Sequence, residues 1–397
     1  MNRDTLKRLI REEIQNLSEA VGVPANIDAL ASDIYAQMLS EVDSKKKAMD
    51  LLVPMILQGN FNISDLNFDT VVLRFNFLPS DDFAFVGMNV SNNLEGGKHF
   101  NLTVPKKEKF NMVFINLQIA IPASKGKNTT IKEIKDFLEQ QRVEITASFA
   151  HELKHFYDNF KAKGKKGAPI TRRAAYKTYT EGEFPIEPLT EFMYNLYFIH
   201  EVENTVRSSE LAGAIKAGDI TKKDFYEFLT QNRVYQRLKT IRDYSLQDLK
   251  NKLIDEVGTI KNILKANGVP YSENDSDETL VNTMLEIFVA TIATWKYDLL
   301  VDITRAFSKT SASDKKQFFA QQKQDMERFE NNPEGYFEYE IKNASKKAGI
   351  LMKKLAKLYS ITPDDKSEVT TENIVDWKRW YKLMSENNPK KIVVPKK

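Results

Sequence analysis

At 397 residues with 42% hydrophobic content, the chain can bury a sizeable core, in one large domain or in two or three. Its 58 basic and 55 acidic residues nearly cancel, which argues against nucleic acid as the main partner, and the absence of cysteine excludes disulfides, thiolate metal ligands and a cysteine nucleophile. No run has the length of a transmembrane helix and residues 1–17 are charged throughout, so the reading is a soluble protein with no membrane association and no secretory signal, kept in a cytoplasm or packaged from there.

The first element is an amphipathic helix in residues 1–20, with Leu6, Leu9, Ile10, Ile14 and Leu17 on one side and Asp4 as its N-cap. A second helix is expected over residues 27–42 and a third over 45–57, interrupted by Pro54. These helices are placed to dock on the body or on another subunit. From residue 69 the period changes from helical to two-residue alternation: Val71, Leu73, Phe75 and Phe77 mark one strand, residues 83–90 a second, 99–104 a third, and Val113, Ile115, Leu117, Ile119 and Ile121 a fourth. Asn92, Asn93, Gly96 and Gly97 supply turn chemistry, and Pro122 ends the last strand. The expected fold class is therefore α+β, a small and mostly antiparallel sheet feeding helices.

Beyond the sheet, a helix is expected through residues 143–160, then a basic glycine-containing loop, KAKGKKGAPITRR, and a break at residues 181–188. Residues 189–215 read as one long helix. The rest is read as helical, over 222–244, 246–267, 277–308, 313–331, 335–358 and 372–387, with turn signals between. The organisation predicted from this is an N-terminal helical segment (1–58), a core (59–215), a large all-helical C-terminal region (216–388) and a flexible basic tail (389–397).

The helix through residues 143–160 contains His151-Glu152-Leu153-Lys154-His155, the pattern H-E-x-x-H, and holds two of the chain's four histidines. Residues four apart stack on one helical face, so His151 and His155 can offer imidazole nitrogens to a single zinc ion, with Glu152 beside them to act on a bound water. Phe149, Leu153, Phe156 and Phe160 form a separate stripe suited to burial. One helix thus carries core on one side and chemistry on another.

A catalytic zinc takes three protein ligands and keeps one position open. Cysteine is absent, and no third histidine follows closely, which leaves a carboxylate from a later helix. Phe192, Leu196, Ile199, Glu203, Val206 and Glu210 share a face at three- and four-residue steps, so Glu203 interrupts an apolar stripe where an unpaired carboxylate would be costly. Glu201 is the alternative, on a more solvated side with Tyr197, Asn204 and Ser208. Arg207, four residues after Glu203, reads either as its surface ion-pair partner or as a group that orients its carboxylate.

HELKH followed downstream by Glu203-Asn204-Thr205-Val206-Arg207 resembles the gluzincin-type zinc metallopeptidases. The resemblance spans residues 69–215 and implies a zincin-like core in which an edge strand borders the cleft and holds an extended peptide. It implies His151, His155 and Glu203 as zinc ligands and Glu152 as general base. Arg207 departs from the family pattern, standing where many members have an acidic residue. More weakly, the LKRLIREEI opening and the lysine-rich composition are similar to proteins of large tailed bacteriophages, which implies a host-cytoplasm or virion setting and an assembly partner for the helical flanks.

The activity implied is hydrolysis of a protein or peptide at a zinc centre, with a virion-associated structural or assembly protein as the alternative. A further donor is usually needed for the developing oxyanion, and His200, Tyr176 and Tyr179 are the candidates, against the packed or surface role that is commoner for a lone His or Tyr. Asp158, three residues after His155, reads as a hydrogen-bond acceptor for the site or as a solvated helix-end acid. No glycine-rich phosphate loop and no aromatic stacking platform is found, which argues against nucleotide chemistry.

Overall fold

The computed structural model describes residues 23–92, 112–125, 128–162, 186–306 and 332–362 and the isolated positions 316, 320 and 324; within these, the side chains of 92, 159–162, 201, 202, 293–306 and 361 are not described. The helices expected in 1–20, 313–331 and 372–387, the strand at 99–104, the loop from residue 163 and the basic tail lie outside the described residues or almost wholly so.

The chain is α+β. Helix α1 (Ile27–Asp43) leads to strands β1 (Met55–Ile63), β2 (Leu66–Ser80), β3 (Ala84–Asn92) and β4 (Met112–Pro122), which form one sheet in the order β1-β2-β4-β3. The outer pairings, β1 with β2 and β3 with β4, are antiparallel, and the central β2 and β4 run parallel. The mostly antiparallel expectation therefore needs one amendment, a parallel centre, which is possible because β2 and β4 are not consecutive and β3 lies between them in the chain.

The alternation read from the sequence sets the register. Val71 pairs with Val113, Leu73 with Ile115, Phe75 with Leu117 and Phe77 with Ile119, so one face of the central strands is continuously apolar. Val71, Leu73, Phe75, Val113, Ile115, Leu117 and Ile119 are buried in the main core, while Val72 and Phe114 form a small cluster of their own. A strand's side chains point alternately to its two faces, so these two groups lie on opposite sides of the sheet.

The helix expected over residues 45–57 is corrected. Only a 3-10 turn forms, at Ala48–Leu52, and after Pro54 the chain enters β1. Met55, Leu57, Phe61 and Ile63 are its buried positions, a period of two that the helix-favouring run before Pro54 obscures. β1 then turns into β2 through Ser64, whose φ of 53° is left-handed.

Helices α2 (Ile131–Gln140) and α3 (Arg142–Ala162) follow the sheet. A capping box starts α2: the Thr130 hydroxyl accepts from Glu133 N and the Glu133 carboxylate accepts from Thr130 N. The helix expected over 189–215 is two, α4 (Glu187–Phe198) and α5 (Glu201–Ala217), separated at Ile199 and His200. No glycine or proline marks the break. His200 closes onto Tyr197 O and gives its own carbonyl to Asn204 N, 2.7 Å, as the first bond of α5.

The stretches 222–244 and 246–267 likewise divide, into α6 (Phe225–Gln231) with α7 (Arg233–Asp243), and α8 (Leu246–Asp255) with α9 (Val257–Ala266). Asn232 caps α7 through Val234 N. Two long helices, α10 (Asp277–Ala306) and α11 (Pro333–Ala356), complete the described fold. Phe192 of α4, Phe288 of α10 and Phe337 of α11 pack ring to ring at 5.2 to 6.1 Å, and most of the buried apolar residues, from Val23 to Leu358, join into one cluster. Among the described residues no helix is long and apolar enough to cross a membrane.

Candidate metal centre

The centre is built where α3 and α5 lie side by side. On α3, Phe149 and Leu153 are fully buried and Phe156 nearly so, which fixes the rotation of the helix and leaves His151, Glu152 and His155 on another face. The approach of α5 depends on small residues. A Cβ added at Gly213 would meet the Ala150 Cβ at 2.8 Å and the Thr146 carbonyl at 3.1 Å, contacts too short to exist without movement. Ser208, Ser209 and Ala212 are buried alongside. The close packing this permits brings carboxylates of α5 within reach of imidazoles on α3.

Three side chains meet there. One ligand atom each from His151, His155 and Glu203 lie within 4.8 Å of one another, so the group could hold a metal ion. The Glu203 carboxylate is fully buried, with Oε1 3.3 Å from His155 Nε2 and Oε2 3.5 Å from His151 Nε2. The two rings thus face different oxygens of the one carboxylate, and a single ion would take one of those oxygens together with both nitrogens. Glu152 is partly exposed, with Oε1 4.0 Å from His151 Nε2, and faces the same space.

The electrostatics follow from burial and neighbours. Burial pushes the Glu203 carboxyl up, but the hydrogen bond and charge of His155, with Arg207 and His151, outweigh it and hold the group down at about 2. Burial also raises Glu210, and there Arg207 and His151 win and hold it at about 2. Glu152 moves the other way: burial raises it, and the opposing charges of His151 and His155 do not fully compensate.

Glu210 shares the predicted face with Glu203, but the sequence alone assigned it no role. Its Oε2 lies 2.9 Å from His151 Nδ1. A carboxylate only accepts, so Nδ1 is the donor in this contact, which leaves Nε2 as the nitrogen that can offer a lone pair to an ion. Arg207 Nη1, 3.4 Å from the same Nδ1, therefore faces it donor to donor and is satisfied by Glu210 instead, at 2.6 Å. A carboxylate two helical turns after Glu203, with an arginine between, is the signal in the sequence that points to this arrangement.

The ion pair of Arg207 with Glu203 forms, Nη2 to Oε2 at 3.2 Å, but in the interior and not on the surface. The side carrying Asn204 and Ser208 is also less solvated than expected, since Ser208 is fully buried. The Glu201 side chain, Tyr176 and Tyr179 lie outside the described residues. His200 is buried in the turn between α4 and α5. Asp158 pairs with Lys154 and accepts from Thr205 Oγ1 at 3.4 Å, bracing α3 against α5. No protein-family model, no curated protein and no solved structure matches this chain.

Proposed function

We propose that the chain is a zinc-dependent peptidase of gluzincin type, with His151, His155 and Glu203 as ligands and Glu152 as general base. The observation that carries this reading is the convergence of two α3 imidazoles and a fully buried α5 carboxylate, one ligand atom of each lying within 4.8 Å of the others. Two nitrogens and one oxygen form a donor set that suits zinc, and a zinc ion held there would supply Lewis acidity, lowering the pKa of a water and polarising a carbonyl.

The protein's own groups supply the rest. Glu152 takes a proton from the attacking water and returns it to the leaving amine. Its upward shift from burial suits the first transfer, because a carboxylate moved toward neutrality takes up a proton more readily. Glu210 holds the His151 ring in the tautomer whose Nε2 is free. β3 packs against α3, the helix that carries His151 and His155, and is an edge strand of the sheet among the described residues, so its outer backbone groups can pair with an extended peptide.

Glu152→Gln tests the assignment, with zinc content measured by mass spectrometry and cleavage followed on a peptide library. The variant is expected to keep one zinc per chain and its fold while hydrolysis falls by roughly 10² to 10⁴. A wild-type chain that takes up no zinc, or a variant that cleaves as the wild type does, would rule the reading out.

A further inference from the structure

The most unusual group at the centre is a cation. Arg207 is buried beside a site proposed to hold a positive ion, where charge alone would make it unfavourable. Its contacts explain its presence. Nη2 bonds Glu203 Oε2 at 3.2 Å and Nη1 bonds Glu210 Oε2 at 2.6 Å, so the two arms of one planar guanidinium hold two carboxylates that stand two turns apart on α5. The guanidinium carbon lies 4.1 Å from the centroid of the Phe198 ring at the end of α4, a stack that fixes the plane.

We propose that Arg207 is a positioning residue of the centre: it yokes Glu203 to Glu210, and so decides which oxygen and which nitrogen the site presents to an ion. The inference rests on the metal-centre reading above. With Oε2 of Glu203 engaged by Arg207, Oε1, 3.3 Å from His155 Nε2, remains as the ligand oxygen. With Glu210 anchored by the other arm, the acceptor for His151 Nδ1 stays in place and Nε2 stays available. Without the arginine, two buried carboxylates would repel each other and Glu203 would be free to present both oxygens. A lysine could balance charge here but could not span both acceptors with a rigid fork.

Charge and geometry predict opposite outcomes, which makes the proposal decidable. If Arg207 acted only as a nearby positive charge, removing it would tighten cation binding. As a positioning residue, its loss weakens binding. The full chain, stripped with a chelator, is titrated with Zn²⁺ by competition and with Co²⁺ by visible absorption, for the wild type, Arg207→Met and Arg207→Lys. Arg207→Met is expected to bind Zn²⁺ 10 to 100-fold more weakly, on the order of losses at residues that orient metal ligands, and to show a weaker Co²⁺ band as Glu203 engages through both oxygens. Arg207→Lys keeps the charge and is expected to weaken as well. A folded Arg207→Met that binds as tightly as the wild type, or more tightly, overturns the proposal. If Arg207→Met does not fold, Arg207→Lys decides, and affinity and spectrum equal to the wild type overturn it. A wild type that binds neither ion refutes the metal-centre reading itself and this inference with it.

Discussion

Glu203 is the residue on which the centre's stability and its chemistry meet. Its carboxylate is wholly buried and touches His155, His151 and Arg207, so it is held ionised where an isolated acid would not be. Replacing it with alanine removes a partner from a buried cation and leaves a gap between α3 and α5. In a metal-free buffer Glu203→Ala is expected to lose about 3 to 5 kcal/mol in urea unfolding, the range for breaking one side of a buried pair. Glu203→Gln keeps the shape and some of the hydrogen bonding and is expected to lose less. A loss under about 1 kcal/mol for the alanine variant is what an exposed pair would give, and would show that this carboxylate is not an interior partner.

At the scale of elements, the decisive contact is the crossing of α3 and α5. Gly213 has no Cβ, and the space that one would occupy is taken by Ala150 and the Thr146 carbonyl. Gly213→Ala gains about 1 kcal/mol of helix propensity, yet overpacking of this kind costs about 1 to 3 kcal/mol, so the net effect is expected to be destabilising. It should also weaken binding of the proposed ion, because the two helices that carry His151, His155 and Glu203 are forced apart. Ala150→Gly in the same chain removes the clash. The double variant is therefore expected to be more stable than the two single losses add up to, by at least ~0.5 kcal/mol in a double-mutant cycle. Simple additivity would mean that the helices do not meet at this point.

At the scale of the whole molecule, the helices of the second half are part of the structure that supports the site. α11 packs against α5, α7 and α10, and Phe337 at its start is fully buried between Phe192 of α4 and Phe288 of α10. Phe337→Ala is expected to cost about 3 to 5 kcal/mol. Since most of the buried apolar residues, from Val23 to Leu358, form one cluster, the loss should shift a single transition, with far-ultraviolet and near-ultraviolet circular dichroism moving together. Two separated transitions in the variant would instead mean that the sheet and the later helices unfold independently.

The sequence by itself determined the local terms: the alternation that pairs Val71 with Val113 and Phe75 with Leu117, the helix carrying His151, Glu152 and His155, and the carboxylate at Glu203 that interrupts an apolar face. Each is a period or a spacing, which a linear chain displays directly. It misled where a local preference ran against packing, as when the helix-favouring run before Pro54 concealed β1, or where no breaker residue marked the end of α4 at Ile199. Tertiary structure alone decided which acid faces which ring. Glu210 reaches His151 Nδ1 and Arg207 bridges both carboxylates only because a glycine and its small neighbours let α5 lie close against α3. Contacts between side chains 56 and 59 positions apart depend on the distance between two helices, and no periodicity within either helix encodes that distance.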